Sequence, residues 1–423
     1  MRLTLLIFLI LFGPSSALAA GLVPETIAAF ESHPKRLAAQ AKQLQALAGV
    51  EREKAALYPR LAFETDGGTK VFGNVPSNQP RALGDSEFID GIITADQRLY
   101  DFGATASRIR SATRSASASG IASDISLNEL LAQAMELSRR ATAIESASQL
   151  IKTTAEGLEQ ERDRAELRFQ QGLEGPAESR RLSIRLAELE RQLEQGAESL
   201  RGFEAQAIES FSVDLSQLRL LRSSLTALDI TANPSSLLLR QLDLQRQSKA
   251  AAAQAIEAER YPVISLELKG RLFDIDEAVG DYEVTGNLKL TLPFLDGGAR
   301  AARLQAAEFE LRASQAELDF EQRVLNERLS QLDTRARQLS NQNNSLSAQA
   351  QILREQIQAL VLRQGKTATG AGELANALLA LYENEQNRLD VLADQAALSD
   401  ERITVMQQWP IYFSQLKDQL ANE

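Results

Sequence analysis

In Tyr261-Pro262-Val263-Ile264-Ser265-Leu266-Glu267-Leu268-Lys269-Gly270-Arg271-Leu272, the residues Ile264, Leu266, Leu268, Gly270 and Leu272 fall on one side. Val263, Ser265, Glu267, Lys269 and Arg271 fall on the other. The run that follows sets Val284, Gly286, Leu288, Leu290 and Leu292 against Glu283, Thr285, Asn287, Lys289 and Thr291. A period of two, apolar on one face and charged on the other over about ten residues, predicts membrane β-strands. A soluble hairpin with one wet face would carry the same pattern.

Working outward, the same features recur in the first half of the chain. Tyr58-Pro59 precedes a weaker strand run and stands 203 residues before Tyr261-Pro262 (262 − 59). Ile89, Gly91, Ile93, Ala95 and Leu99 then alternate with Asp90, Thr94, Asp96 and Arg98, interrupted by Ile92. Leu99-Tyr100-Asp101-Phe102-Gly103-Ala104 answers to Phe294-Leu295-Asp296-Gly297-Gly298-Ala299, with the aspartates 195 apart (296 − 101). Gly172 and Gly365 interrupt the helical stretches that follow, 193 apart (365 − 172). Three landmarks in one order at nearly constant offset indicate duplication. Asp101 and Asp296 sit where a strand gives way to a helix, so a carboxylate there can accept from free helix N–H groups. Gly103 and Gly298 let the backbone bend without a Cβ clash. Tyr58, Tyr100, Phe102, Tyr261 and Phe294 gather at the same strand ends, as in an interfacial belt or a cover over a helix bundle.

Long helices separate the strand pairs. Leu325, Leu329, Leu332, Ala336, Leu339, Asn343, Leu346, Ala350, Leu353, Ile357 and Leu360 form a heptad seam with one polar member. Leu127, Leu130, Ala134, Leu137, Ala141, Ile144, Ser148 and Ile151 form another, and a third runs from Leu182 through Leu186, Leu189, Leu193, Gly196, Leu200 and Phe203 to Ala207. A helix from Ala104 to Gln171 would extend ~100 Å. Proline, at 11 of 423 residues, is about half as frequent as the usual ~5%. None occurs between Arg81 and Gly175 or between Phe294 and Trp409, which suits long uninterrupted helices.

Composition removes several chemistries. The chain has no cysteine and one histidine, His33, which excludes thiolate nucleophiles, thiolate metal sites and disulfides and leaves no basis for a histidine triad. The net charge of −11 argues against a nucleic-acid partner. The carboxylates are dispersed over helix faces and not gathered in a pocket-forming segment, so no enzyme and no cofactor is expected. His33, just before Pro34, reads as a surface or helix-capping residue. Met1-Arg2, an apolar run from Leu3 to Phe12 and Ala17-Leu18-Ala19 predict a secretory signal peptide over 1–19. Past it no run is long enough for a membrane helix, and no Cys offers a lipid anchor. An exported chain of this kind enters a membrane only through strands. Four strands are too few to close a barrel, so copies of the chain must share theirs, and the charged strand face requires a wet interior.

The Tyr-Pro strand starts, Leu99-Tyr100-Asp101-Phe102-Gly103-Ala104 and Leu292-Pro293-Phe294-Leu295-Asp296-Gly297-Gly298 resemble the duplicated signatures of TolC-like outer-membrane efflux proteins. Arg168-Phe169-Gln170-Gln171-Gly172-Leu173, Leu381-Tyr382-Glu383-Asn384-Glu385-Gln386 and Ser32-His33-Pro34 are similar to further family motifs, so the resemblance covers nearly all the mature chain. It implies an α+β fold in which long coiled helices form a periplasmic α-barrel. Four transmembrane β-strands per chain would join a shared trimeric 12-stranded β-barrel. The implied role is an exit duct of a tripartite efflux pump or a type I secretion system, in the outer membrane and extending into the periplasm. Implied partners are two further copies in a homotrimer, a periplasmic adaptor (membrane fusion) protein, an inner-membrane transporter and outer-membrane lipid.

The resemblance also places a pore constriction at Glu373 and Asn376, where the family commonly has two acids, with Glu178 helping to hold the gate closed and Lys366 as its partner. Gly365 to Gly372 is glycine-rich and about two residues longer than the usual turn. Gly172, Leu173, Gly365 and Lys366 are the expected tip contacts for the adaptor. Three symmetry copies of one carboxylate on a narrow axis would attract cations; alternatively Glu373 is a helix N-terminal acid and Asn376 a solvated residue. The boundaries expected are 1–19 signal peptide, 20–57 N-terminal periplasmic helix, 58–100 first β-hairpin and 104–257 first helical hairpin with the equatorial region. There follow 258–295 second β-hairpin, 299–410 second helical hairpin and 411–423 a peripheral tail. The competing class is a periplasmic structural or adaptor coiled coil, which would carry one long hairpin between β-rich domains.

Overall fold

The structure is a computed structural model that describes residues 16–69, 87–173, 175–228, 236–273, 281–364 and 371–422. Most of the expected signal peptide, and both Gly365 and Lys366, lie outside the described residues. Helices α1 (Ser16–Glu31) and α2 (Pro34–Lys54) precede strands β1 (Arg60–Thr69) and β2 (Glu87–Tyr100). Next come α3 (Ala104–Gln170), α4 (Ala177–Phe211), α5 (Leu215–Thr226) and α6 (Leu237–Ala258). The second half repeats the plan with β3 (Val263–Leu272), β4 (Tyr282–Thr291), α7 (Ala299–Gln364) and α8 (Ala371–Val405), and α9 (Trp409–Asn422) ends the chain. The duplication is close in length: α3 and α7 have 67 and 66 residues, and α4 and α8 have 35 each.

The chain forms two compact units, each drawing on both halves: one of Met1–Ala38, Ser123–Leu238 and Gln322–Glu423, the other of Ala39–Ala122 and Leu239–Glu321. In the first, Leu332, Leu339, Ala350 and Leu360 are buried and the other predicted seam positions of α7 from Leu325 to Ile357 are partly buried, while every residue between them is exposed. Such narrow burial is what a heptad repeat produces when a helix has one neighbour, here α8 through Val391 and Leu398. Helix α3 is buried more broadly, with Leu127, Leu130, Leu131, Ala134, Met135, Leu137 and Ala141 in the largest apolar cluster. At its seam with α4, Gly196 admits Ser148 Oγ and Ile144; a Cβ there would lie 3.1 and 3.4 Å from them.

Two expectations change. Residues 411–423 are not a peripheral tail: in α9, Trp409, Phe413 and Leu416 are buried beside Phe30, Phe211 and Leu218. Their i, i+4, i+7 spacing is that of one helix face, and Pro410 is tolerated in the first turn. The N-terminal helix of 20–57 is two helices, because Pro34 cannot donate a backbone bond and starts a new one. His33 joins them: its Nδ1 accepts from the Lys35 N–H at 3.2 Å and its Nε2–H donates to the Ser210 carbonyl at 3.0 Å.

In the second unit the strands form one antiparallel sheet in the order β1-β2-β3-β4. The first hairpin pairs Arg60 with Asp96 through Thr69 with Glu87, and the second pairs Val263 with Thr291 through Leu272 with Tyr282. Between them β2 meets β3 from Gly91–Leu272 to Arg98–Ser265, then slips so that Tyr100 stands opposite Ile264. The slip removes Leu99 from the ladder and brings Tyr100 onto the apolar face in its place, a β-bulge that alternation alone does not reveal.

Candidate functional site

The sheet separates two chemistries. Leu61, Ala95, Leu268 and Gly286 form one cross-strand row, and Phe63, Ile93, Gly270 and Val284 the next. On the opposite face stand Arg60, Asp96, Glu267 and Asn287, then Ala62, Thr94, Lys269 and Thr285. Ile92, which breaks the alternation, lies in the charged face between Glu64 and Arg271. Arg271 donates from Nε and Nη2 to Asp90 Oδ2 at 2.9 and 2.6 Å. On the apolar face Leu61, Phe63, Val284, Leu288 and Leu290 are exposed by 64–73%, an uncovered hydrophobic surface of the kind that marks a membrane or protein contact.

At the strand–helix junctions Asp101 and Asp296 do what a helix-start carboxylate can do. Asp101 accepts from the Gly103 N–H at 3.2 Å, the Thr105 N–H at 2.8 Å and the Thr105 hydroxyl at 2.5 Å. Asp296 repeats the pattern with the Gly298 and Arg300 N–H groups at 3.1 and 2.9 Å. Gly103 and Gly298 take φ of 89° and 86°, which explains glycine at both. Burial pushes the Asp101 carboxyl up, but the bonds from Thr105 and Gly103 and the nearby Arg98 outweigh it and hold its pKa below the usual carboxylate value. For Asp296 the Arg300 N–H is the main cause of the same downward shift. Tyr100, Phe102 and Tyr261 pack together, with ring centroids 4.7 and 5.0 Å apart. Tyr58 and Phe294 are exposed.

At the far end of α3, the Leu173 N–H bonds the Arg168 carbonyl and the Gly172 N–H that of Phe169, with Gly172 at φ 66°. This is a Schellman stop, which needs a left-handed residue where Gly172 stands. It leaves Leu173 69% exposed beside exposed Leu167 and Phe169. Glu178 lies in the first turn of α4 and Glu373 in the first turn of α8. Arg181 links Glu178 to Asn376: its Nη2 is 2.6 Å from Glu178 Oε1 and donates to Asn376 Oδ1 at 3.0 Å. Gly372 leaves room for the Glu178 carboxylate, 3.3 Å from where a Cβ would sit. Glu373 and Asn376 are both exposed, while Leu374, Ala375 and Ala377 between and beside them are buried.

The structure therefore brings Glu178 and Asn376 together through Arg181, which sequence reasoning passed over in favour of Lys366. The i, i+3 spacing of Glu178 and Arg181 was the available signal. Tyr382 of the Leu381-Tyr382 motif is a packing residue. Its hydroxyl donates to Gln192 Oε1 at 3.0 Å, Arg185 lies over its ring, and burial raises its pKa.

Among the described residues no helix is long and apolar enough to cross a membrane. No protein-family model and no curated protein matches the sequence. Solved structures do. The chain is similar to the outer membrane protein VceC from Vibrio cholerae at 15% identity and a TM-score of 0.74, over 92% of this chain and 96% of that one. CusC, whose structures concern folding and transmembrane channel formation, matches at 15% identity and 0.72, over 91% and 92%. The CmeC outer membrane channel of Campylobacter jejuni matches at 13% identity and 0.69, over 95% and 90%. At these identities the likeness is one of fold, and the fold of this chain is that of outer-membrane channel proteins.

Proposed function

We propose that the chain is one protomer of an outer-membrane exit duct that continues into the periplasm. The observation that carries this reading is the four-stranded sheet, apolar on one face, charged on the other and, among the described residues, unpaired along both β1 and β4. In lipid an open edge leaves backbone groups without partners, and the smallest closed barrels have about eight strands. Three copies of a four-stranded sheet supply twelve strands, with the apolar rows toward lipid and the charged rows around water. The rival reading, a periplasmic coiled-coil adaptor, gives the bare apolar face no role. The duct carries out no catalytic step; it passes cargo delivered by an inner-membrane transporter through a periplasmic adaptor, in drug or metal efflux or in type I secretion. The exposed tip of Leu167, Phe169 and Leu173 supports an apolar adaptor contact there. The second expected contact, Gly365 and Lys366, has the same role in this reading. Glu373, Asn376, Glu178 and Arg181 are assigned to the constriction.

The test is the native mass of the protein extracted by detergent from isolated outer membranes. The expected result is a trimer in that fraction. A soluble periplasmic monomer or dimer would overturn the duct and restore the coiled-coil reading.

A further inference from the structure

The duplication extends to strand register, and that allows the unpaired edges to be matched. Shifting the first hairpin's pair Arg60–Asp96 by the two offsets, 203 for β1 and 195 for β2, gives Val263–Thr291, the observed pair of the second hairpin. Thr69–Glu87 likewise becomes Leu272–Tyr282. One ladder in the chain has no internal copy, that between β2 and β3. Its counterpart would join β4 to a β1 that this chain does not offer.

We propose that β4 pairs with β1 of a second copy of this chain in the register that sets Lys289 opposite the partner's Asp66. Thr94–Lys269 is the corresponding pair within the chain. This rests on the duct reading above and adds to it the residue-by-residue seam. The same shift sets Leu290 opposite the partner's Thr65, Thr291 opposite the partner's Glu64 and Leu292 opposite the partner's Phe63. Three observations support it. Lys289 and Asp66 both belong to the charged face, in line with Ser265 and Asp90 respectively, and their charges are opposite, as favours a cross-strand pair. Pro293 takes the place of Arg98 beside the register slip, a position where a residue without an N–H is tolerated. Phe294 and Leu295 are 94% and 91% exposed and Tyr58 is 70% exposed, against 52%, 55% and 38% for their counterparts Leu99, Tyr100 and Tyr261 at the β2–β3 seam, where Tyr100 and Tyr261 pack against Phe102.

A slip of one residue would turn Lys289 toward the apolar face and is excluded by the pleat. A slip of two keeps the faces and sets Lys289 opposite Glu64, so it is the alternative to defeat. The chain has no cysteine, and cross-strand pairs stand at distances a disulfide can span. Asp66→Cys/Lys289→Cys, oxidised in outer membranes, is expected to run as a covalent trimer that collapses to monomer on reduction. Each single variant should stay monomeric on the same denaturing gel. Efficient linking by Glu64→Cys/Lys289→Cys with none by Asp66→Cys/Lys289→Cys would overturn the register while leaving the duct intact. Absence of any trimer for the unaltered chain in a native extract would overturn the duct itself. As a second measurement, Asp66→Lys should lower trimer recovery severalfold and Asp66→Lys/Lys289→Asp should restore it. Failure of the double swap to restore a trimer that Asp66→Lys had lost would also count against the register.

Discussion

Phe102 and Gly297 hold the same left-handed backbone conformation, φ 54° and 63°, at equivalent places in the two halves. One half uses a glycine; the other uses a phenylalanine whose ring is held by Tyr100 and Tyr261. The next residue is glycine in both, at φ 89° and 86°. A side chain in the left-handed helical region costs about 1–2 kcal/mol, and farther from that basin it costs more. Gly297→Ala is therefore expected to destabilise the second junction by about 1 kcal/mol, and Gly298→Ala by more. Dissociation temperatures of the assembled protein check the ranking. Equal effects would mean that the turn does not depend on its second glycine.

Acid should loosen the first junction. A carboxylate whose folded pKa is depressed contributes stability that is complete above its unfolded value, about 3.9 for aspartate, and is lost as pH falls through the folded value. Asp101 is such a group, so order at the start of α3 should fall off below about pH 4. Asp101→Asn should be less stable at neutral pH and should lose the part of the acid dependence that Asp101 supplies. Amide hydrogen exchange at Thr105 across pH 5 to 2, corrected for intrinsic rates, reads this directly.

The seams and strand faces were legible because each depends on one neighbour and one period. Leu325 to Leu360 repeats in heptads because α7 is buried along a single line, and Ile264 to Leu272 alternates because the sheet has two unlike faces. Where several elements act together the pattern failed. Leu99 alternates correctly but drops out of the ladder at a bulge. Arg181 reaches Asn376, 195 positions away, through a helix pairing that no local spacing encodes. The last helix carries only five apolar-face positions, Trp409, Tyr412, Phe413, Leu416 and Leu420, whose burial depends on α1, α4 and α5 being in place.

That helix provides a stability test. Trp409 is fully buried, its Nε1–H donates to Thr404 Oγ1 at 2.9 Å, and its backbone N–H reaches Asn128 Oδ1 at 3.3 Å. Removing a buried aromatic leaves a cavity and costs about 3–5 kcal/mol. Trp409→Ala should cut the yield of folded protein and lower its denaturation midpoint. Little change in either would make α9 dispensable, as a peripheral tail would be.

The tip of α3 should bear on export and not on assembly. Leu173 follows the Schellman stop and is exposed, so Leu173→Asp leaves no cavity and breaks no backbone bond. If the tip docks an adaptor, that charge should reduce export at least tenfold with trimer yield unchanged. The same holds for deletion of Gly172-Leu173. Transport assays beside native-mass measurements separate the two effects, and normal export with Leu173→Asp would remove the tip from the contact.

Arg181 changes what Asn376→Asp should do. Three new carboxylates on a pore axis would raise cation preference, but here each would form beside a guanidinium already 3.0 Å from the Asn376 oxygen. The pair would be partly neutralised and would tie α4 to α8 more firmly. Asn376→Asp alone should then lower conductance with a modest gain in cation selectivity. Arg181→Ala alone removes the link between Glu178 and Asn376; exposed pairs contribute about 0–1 kcal/mol, so closed-state leakage should rise up to about fivefold. In Arg181→Ala/Asn376→Asp the carboxylate is unpaired, and the full cation preference and divalent block should emerge. Reversal potentials in planar bilayers order the three variants. If Asn376→Asp and the double variant show the same selectivity, Arg181 does not face the conduction path and the constriction lies elsewhere.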